Sequence, residues 1–486
     1  MFTCTKVSAV KIRGVGTRAF VGLAAATALL GTAIQPAQAA EHSNESASGV
    51  AQKLQQAMDQ LHFEQVLDLA PPTTTAQAHT LATQSVDKDA ASPAQRAQRF
   101  AALAAPAPIS QQPQIDMSVI ELDKDGRPLS SGTVLMSPQY PHGIVVPVDK
   151  NYHTDAVRWR QWDDAGWYTN HAQGTIDIVP GRESAPLDFM EPYPASVLKL
   201  MVNFGVLRLV DQGVIKLDDT YDYQPTTLSS LCGDASSDTI RNYIDASITY
   251  SSNAASCALV KLLWDHNAVD GLNQTFQDLG LETMQLKETN PENGGHWSNP
   301  VTMTSLDTAK LLMIINGGSG KLWTTPTGKV VTSTALSPSS RQFFKSELAQ
   351  QGFNDVLSTT SWCGADYPAP GIPQLTASRW IAADGTTTVD GDAYAHDVRP
   401  CNQSAQVTFA HKTGLVGNSG SDAGIVKSLP GKQGRSYIIT MFSNLGDQYQ
   451  DPNRPPTEPG AHPVAYTEKF AQLGKIMDQY EAAHRY

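Results

Sequence analysis

The sequence predicts an α/β protein of the α+β kind, in which helices flank a mainly antiparallel sheet and form a helical subdomain. Near residue 115, the text IDMSVIELDKDGRPLSSG indicates two strands joined by a turn at Asp125-Gly126. Long apolar helical patterns fill the middle of the chain. The last third returns to strand-like runs such as GRSYIITMFSNL before a final amphipathic helix at about 463–484. Strands on both sides of a helical middle indicate one sheet with a helical insertion.

The chain before this domain has two parts. Residues 1–39 have the layout of a secretory signal peptide, with basic residues, the apolar run AFVGLAAATALLGTAI and small residues at Ala37 and Ala39. A transmembrane anchor is the alternative, but the run is shorter than the ~20 residues of a span. Residues 40–112 form a helical and low-complexity arm, with helical periodicity at 50–70, that we expect to be loosely docked. The main domain is predicted to span 113–486.

Charge and cysteine content restrict the partners and the compartment. The formal net charge is −12, and an acidic chain repels nucleic acids and anionic membrane surfaces. We therefore expect no nucleic-acid or membrane-surface partner. From the signal peptide we expect an exported protein, secreted or periplasmic, that is a monomer with no membrane span in its mature form. After the signal peptide four cysteines remain, an even number that is typical of oxidising compartments. We favour the pairs Cys363–Cys401, closing a Pro- and Gly-rich insertion at about 360–405, and Cys232–Cys257, and four free thiols are the alternative.

The text PASVLKLMVNFGVLRLVDQG predicts a central helix that is buried on nearly all sides and ends at Gly213. At its beginning, Ser196 and Lys199 are three residues apart and therefore share one face. Ser196 is either an ordinary first-turn residue or a nucleophile. Burial makes a charged lysine costly, so Lys199 could serve as a neutral amine that takes the serine proton. Free N–H groups at the helix start would help to hold an oxyanion.

Two further stretches offer polar groups to the same site. Helices are predicted at 236–249, in AASCALVKLLWDH and near Thr304, and the break YSSN between the first two offers Ser251 and Asn253. The strand VTFAHKTG ends with the motif Lys-Thr-Gly. The N–H of the residue after this motif could complete an oxyanion hole with the N–H of Ser196. These four residues are Lys412, Thr413, Gly414 and Leu415. Glycine would let a substrate backbone lie along this strand.

In this order, Ser-x-x-Lys, Ser-x-Asn and Lys-Thr-Gly resemble the three signature motifs of serine β-lactamases and penicillin-binding proteins. The flanking texts EPYPASVLKL and GSDAGIVKSLPGKQGRSYIITMFSN are similar to class A β-lactamases. The resemblance covers roughly 115–484 and implies a β-lactamase/DD-peptidase-like fold. It also implies that Ser196 becomes acylated by a β-lactam or peptidoglycan-like substrate, with Lys199 as its general base or proton relay.

The resemblance assigns roles to the other motif residues as well. Ser251 and Lys412 would pass a proton to the leaving nitrogen, Asn253 would hold the substrate acylamide, and Thr413 would hold its carboxylate. Neither a metal nor an organic cofactor is implied. The histidines lack the spacing of metal ligands and are predicted to be isolated side chains; they include His296, His396 and His411.

The deacylation loop departs from the class A pattern Glu-Pro-x-Leu-Asn. Aligning LKETNPENGGHW on Pro291 places Asn290 at the glutamate and Gly294 at the asparagine. Glu288 and Glu292 are nearby, either as deacylating bases or as ordinary solvent-facing acids. A basic residue that often precedes the glycine of the penultimate strand is also replaced, by Ala423 in this chain.

The functional prediction is therefore a secreted serine hydrolase that opens β-lactam rings, an activity that confers antibiotic resistance. The alternative within the same superfamily is a D-Ala-D-Ala carboxypeptidase or esterase, for which β-lactams would be slow inhibitors. The alternative from another class is a non-catalytic cell-wall or penicillin-binding protein whose serine and lysine are relicts. A persistent acyl-enzyme would indicate the peptidase, and the absence of any serine labelling would indicate the non-catalytic protein.

Overall fold

The computed structural model of the chain describes residues 48–68, 107–109, 113–163, 174–297, 301–364, 371–394, 396–451 and 468–484. Its strands are β1 Leu67–Asp68, β2 Ala107–Pro108, β3 Ile115–Leu122, β4 Pro128–Ser137, β5 Tyr140–Val145, β6 Val157–Arg160, β7 Leu187–Met190, β8 Thr220–Tyr223, β9 Ser236–Thr239, β10 Lys321–Thr324, β11 Val330–Thr332, β12 Thr387–Val389, β13 Asp392–Tyr394, β14 Val407–Val416, β15 Ser419–Ser428, β16 Ser436–Ser443 and β17 Tyr449–Gln450. Its α-helices are α1 Gly49–Gln60, α2 Lys199–Asp211, α3 Ile240–Thr249, α4 Asn253–Asp265, α5 Val269–Asp278, α6 Ser305–Asn316, α7 Pro338–Leu348, α8 Arg399–Ser404 and α9 Lys469–Ala483. The predicted signal peptide lies outside the described residues.

The central sheet has six antiparallel strands in the order β14-β15-β16-β3-β4-β5. Strand β3 is buried along its whole length, which fits its place inside the sheet. The predicted turn between β3 and β4 is present, and Gly126 adopts a positive φ of 75° there while its N–H donates to the Asp123 carbonyl. The predicted α+β class with a mainly antiparallel sheet is therefore confirmed.

Helices cover both faces of this sheet because its strands alternate between two cores. Along β16, Ile438 and Phe442 belong to a core built with α2, α4 and α6. Tyr437, Ile439 and Met441 point to the opposite face, into a core built with α1 and α9. This period of two is what a strand with apolar residues on both faces requires.

Helix α1, inside the predicted arm, is part of the packed domain. Its residues Leu54 and Met58 are fully buried in the core beside α9. At the start of the helix, the Ser48 hydroxyl donates to the Ser131 carbonyl at 2.6 Å. A Cβ at Gly132 would lie 2.5 Å from the Cα of Ala51, so helix and strand approach each other at backbone distance. The expectation of a loosely docked arm is wrong for this helix, because its apolar side forms part of the sheet's core.

The other predicted helices need smaller corrections. Helix α3 begins at Ile240, because residues 236–239 pair with β8 as a strand, and the Thr239 hydroxyl then caps the helix by accepting the Asn242 N–H. The final helix begins at Lys469, and the start predicted for it lies outside the described residues. None of the helices in the described parts of the chain has the length and apolarity of a membrane span.

Both favoured cysteine pairs are confirmed. Cys232 bonds Cys257 with their Cα atoms 5.5 Å apart, which ties a surface loop to α4. Cys363 bonds Cys401 with their Cα atoms 6.3 Å apart. The second bond frames the 360–405 segment, whose described parts contain the β12–β13 hairpin and the short helix α8.

Candidate active site

Ser196 lies on a single 3-10 turn, Ala195–Leu198, that leads directly into α2. The Val197 N–H donates to the Pro194 carbonyl and closes this turn. Ala195 adopts a positive φ of 47°, which is uncommon for a residue with a side chain and recurs at functional sites. Ser196 is partly exposed, while the residues on both sides of it are buried. The turn therefore presents one hydroxyl at the edge of a dense apolar helix.

Lys199 begins α2 and is completely buried. Its Nζ donates to the Ser251 carbonyl at 2.6 Å, to the Ser251 hydroxyl at 3.0 Å and to Asn253 Oδ1 at 2.7 Å. The first two motifs therefore meet through one amine. Since Nζ donates to all three partners here, it must release one of these protons before it can accept one from a neighbouring hydroxyl.

Lys412 approaches the same hydroxyl from the sheet. Its Nζ lies 2.9 Å from Ser251 Oγ and 2.7 Å from the Thr413 carbonyl, and its side chain is fully buried. Ser251 Oγ therefore lies between two lysine amines, Lys199 and Lys412. The hydroxyl can accept a hydrogen bond from each amine and still donate its own proton. This arrangement can carry a proton across the site.

The loop that carries Ser251 is held in a strained shape. Ser251 has a positive φ of 62°. Ser252, the N-cap of α4, donates its N–H to the Ala246 carbonyl at 2.9 Å and accepts the Ala255 N–H on its hydroxyl. These bonds tie the residue after Ser251 to α3 and α4, and the Ser251 hydroxyl itself contacts the two lysine amines.

A buried polar chain below this loop was not predicted. The Asn203 amide donates to the Lys199 carbonyl at 2.7 Å and to the Ser247 hydroxyl at 3.0 Å, and Ser247 bonds Ser256 at 2.9 Å. These contacts link α2, α3 and α4. Asn203 itself was the available sequence signal for this chain, since it is a polar residue at the centre of an otherwise apolar helix. A polar side chain buried in this way needs hydrogen-bond partners in the core.

Strand β14 presents its backbone at the free edge of the sheet. A two-residue turn closes the β14–β15 hairpin, so Val416 and Ser419, the last pair, exchange backbone hydrogen bonds. Because this pattern alternates along an antiparallel pair, the backbone N–H and C=O groups of the odd-numbered residues of β14 point away from β15. In agreement, the Val407 carbonyl accepts the Leu375 N–H at 3.1 Å from outside the hairpin. The Leu415 N–H therefore points to the open edge, the direction that the predicted oxyanion hole requires.

Gly414 brings this edge against the nucleophile turn. A Cβ on Gly414 would lie 2.7 Å from the Pro194 carbonyl oxygen and 2.8 Å from the Ser196 nitrogen. Real Cβ atoms do not approach backbone atoms so closely, so only glycine fits without moving the turn. Thr413, whose predicted role is to hold a carboxylate, is nearly buried. The structure thus gathers the residues of all three motifs, while their individual catalytic roles stay predictions.

The predicted deacylation loop is not brought into this cluster. Glu288, Asn290 and Glu292 are all exposed, and none of their side chains bonds to Lys199 or Ser196 in the described structure. The loop closes on itself instead, because the Asn290 N–H donates to the His296 carbonyl at 2.9 Å. The three residues therefore stay on the outside of a compact turn.

Trp297 occupies the inner side of that loop. It is buried, its Nε1–H donates to the Tyr193 hydroxyl at 3.0 Å, and its ring centroid lies 5.9 Å from Lys199 Nζ. No sequence pattern singles out Trp297, since the path of a loop decides which side chain turns inward. The ring is apolar and its single N–H is bonded to Tyr193, so Trp297 offers no carboxylate to orient a water molecule beside Lys199.

Two other titratable clusters lie near the site. Burial raises the pKa of Asp116 to about 6, while Ser305 donates to it through its N–H and its hydroxyl. Burial and the neighbouring Asp116 charge raise the pKa of Glu191, shortly before the nucleophile turn, well above its ordinary value. On β14, His411 bonds the buried Asp422 at 2.7 Å. Within the described ranges, no group of three or more metal-ligating side chains is present.

One family model and several solved structures are similar to this chain. The model of the family described as "Beta-lactamase enzyme family" matches residues 190–458, more than half of the chain. A mutant of PBP-A, solved as an acyl-enzyme complex with penicillin-G, is 17% identical, covers 80% of this chain and 95% of its own, and has a TM-score of 0.40. A β-lactamase from Chitinophaga pinensis is 14% identical, with 76% and 94% covered and a TM-score of 0.38. A search of curated proteins found no match. The chain therefore belongs to the β-lactamase enzyme family and is a serine hydrolase.

Proposed function

We propose that this protein is an exported, class A-like hydrolase that opens β-lactam rings through an acyl-enzyme on Ser196. The observation that carries the proposal is the position of Ser251 Oγ, 3.0 Å from Lys199 Nζ and 2.9 Å from Lys412 Nζ. This hydroxyl can receive a proton from one amine and give it to a leaving nitrogen beside the nucleophile turn. That is the proton path which an amide with a poor leaving group needs.

The proposed acylation step uses the residues of all three motifs. Ser196 Oγ attacks the lactam carbonyl carbon while its proton passes to the neutral amine of Lys199. The developing oxyanion is held by the N–H groups of Ser196 and Leu415. The C–N bond then breaks, the nitrogen takes the Ser251 proton, and Lys412 or Lys199 supplies a proton to Ser251. The product is an ester on Ser196 with an opened ring.

A second candidate function is a D-Ala-D-Ala carboxypeptidase or esterase with the same acylation chemistry. The observation that favours it is Trp297, whose ring lies near Lys199 where a water-orienting carboxylate would be useful. Without such a carboxylate, hydrolysis of a β-lactam-derived ester is slow, whereas a less hindered peptide or ester product is released more easily. The two candidates therefore differ in the lifetime of the acyl-enzyme and not in how it forms.

Intact-mass measurement of the mature protein with a penicillin, followed over time, tests both candidates. We expect one adduct with the full mass of the penicillin, no adduct on Ser196→Ala, and normal labelling of Ser339→Ala, which changes an exposed serine of α7. Decay of the adduct with many turnovers on a chromogenic cephalosporin supports the β-lactamase, and a persistent adduct with activity on D-Ala-D-Ala peptides supports the peptidase. A wild-type protein with neither adduct nor turnover contradicts both.

A further inference from the structure

The 360–405 segment packs against two residues that border the catalytic cluster. Its small core consists of Trp362, Val389 and Tyr394, all buried. Partly buried against that core are Tyr250, which directly precedes Ser251, and Leu415, which follows Gly414 on β14. The segment therefore reaches the serine loop and the edge strand at the same time. The segment therefore adds residues to this side of the site that do not belong to any of the three motifs.

Several direct contacts hold the segment in place. Arg379 forms a two-point ion pair with Asp245 of α3, at 2.5 and 3.0 Å. The Trp380 Nε1–H donates to the Gln350 carbonyl at 2.7 Å. The stretch that follows Gln350 is itself bonded to the end of α3, because the Gly352 N–H donates to the Thr249 carbonyl at 2.7 Å. A two-point arginine–carboxylate pair fixes orientation as well as distance. The segment is therefore attached to the end of α3, immediately before the serine loop.

Two side chains of the segment, Val389 and Trp380, pack directly onto the backbone of Gly352. A Cβ there would lie 2.5 Å from Val389 Cγ1 and 3.1 Å from the ring of Trp380. The Trp380 ring packs edge-on against Tyr250, with centroids 6.2 Å apart and an angle of 77° between the planes. Arg379 also lies 4.7 Å from the centre of the Trp380 ring. The two aromatic side chains are thus fixed as a pair, and both remain partly exposed.

The chemistry of the site decides which half of a substrate meets this pair. Ser251 protonates the leaving nitrogen, so the substituents on that nitrogen lie beside the serine loop after Ser196 attacks. Tyr250 directly precedes Ser251 and is one member of the aromatic pair. The acyl half is expected at Asn253, whose predicted role is to hold the substrate acylamide. The segment therefore borders the leaving-group half.

We propose that Tyr250 and Trp380 form an apolar subsite that selects substrates with an aromatic or large apolar substituent on the leaving-group half. The inference rests on the proposed function and adds its substrate class. A partly exposed aromatic pair beside a polar site gains free energy when a substrate covers it, through apolar burial and ring contact. Substrates with a small substituent leave the pair in water and gain nothing from it.

Two cephalosporins that share one acylamido side chain and carry either a methyl or an aryl group at C3 isolate this subsite. The measured quantity is the second-order rate constant of acylation, from stopped-flow or quenched intact-mass data. For the wild type we expect faster acylation by the aryl compound. In Trp380→Ala the aryl compound should lose about tenfold, in line with a lost apolar contact, and the methyl compound much less. Trp380→Phe should restore most of the difference.

A second variant guards against a simple loss of structure. Tyr250→Leu leaves the Arg379–Asp245 pair intact and should also reduce the preference for the aryl compound. The control is Leu228→Ala, an exposed apolar side chain outside the segment, which should change neither rate. Equal losses for both compounds in the Trp380 and Tyr250 variants, or no preference in the wild type, overturn the inference while acylation itself stands. Absence of acylation in the wild type overturns the proposed function together with it.

Discussion

At the residue scale, the glycine of the third motif is explained by steric contact. Gly414 has the Pro194 carbonyl and the Ser196 nitrogen at distances that leave no room for a Cβ. The same contact positions the N–H groups of Ser196 and Leu415 near one another, as an oxyanion hole requires. Glycine is therefore required at this position because any side chain would collide with the nucleophile turn.

Replacing this glycine should affect acylation more than stability. We expect Gly414→Ala to displace the nucleophile turn and slow penicillin acylation by about a hundredfold or more, since small misplacements of reacting groups are costly. The measurement is the acylation rate beside a circular-dichroism melting curve. Gly271→Ala is the matched control, because a Cβ there meets nothing within 4 Å. An unchanged acylation rate in a folded Gly414→Ala protein would show that the turn tolerates the methyl group.

The loop acids offer a second test at this scale. Because Glu288 and Glu292 are exposed and do not bond to Lys199, Glu288→Gln and Glu292→Gln should leave the lifetime of the acyl-enzyme unchanged within about twofold, as is usual for surface changes. The lifetime is read from the decay of the intact-mass adduct. A prolonged lifetime in either variant would assign that glutamate to deacylation and contradict the structural placement.

At the scale of elements, the contrast between α2 and α1 shows what the sequence could predict. The position of α2 was predictable because its apolar residues surround the helix and a glycine ends it. The docking of α1 was not, since its amphipathic pattern identifies one apolar side but not the surface that covers it. The three motifs were readable for a similar reason, because each is short and local. Trp297 and the Asn203 chain depend on how distant segments meet.

The packing of α1 gives a prediction about stability. Leu54→Ala should lower the free energy of unfolding by about 2–5 kcal/mol, the usual cost of emptying a fully buried leucine site. Leu54 is 0% exposed in the core between α1 and the sheet. Gln56→Ala, on the exposed side of the same helix, should have little effect. The measurement is urea-induced unfolding, and equal midpoints for Leu54→Ala and the wild type would contradict the docked position of α1.

For the whole molecule, the buried carboxyl pair links stability to pH. The pKa of Asp116 is raised to about 6, and burial raises that of Glu191 well above its ordinary value. A raised pKa in the folded state means that the folded protein holds protons that the unfolded chain has already released. Stability is therefore fully present below the ordinary pKa values and falls as pH rises through the raised ones.

Glu191→Gln should remove part of this pH dependence. Between pH 5 and 8 the wild type is expected to lose up to about 1.4 kcal/mol per pH unit for each extra proton held by the folded state. The variant lacks one of the two titrating groups, so its free energy of unfolding should decline less over that range. Urea unfolding at several pH values measures both slopes. Parallel curves for the two proteins would mean that Glu191 does not titrate in this window.

The order of the sheet also has a consequence in time. Strand β3, near the beginning of the domain, pairs with β16, near its end, and the Gln114 N–H bonds the Asn444 side chain across 330 positions of sequence. During synthesis the early strands and the helical middle emerge long before the partner that completes the sheet. The nascent chain therefore stays incompletely folded until almost all of it has been made, and its lysine–serine cluster assembles only with the arrival of β14.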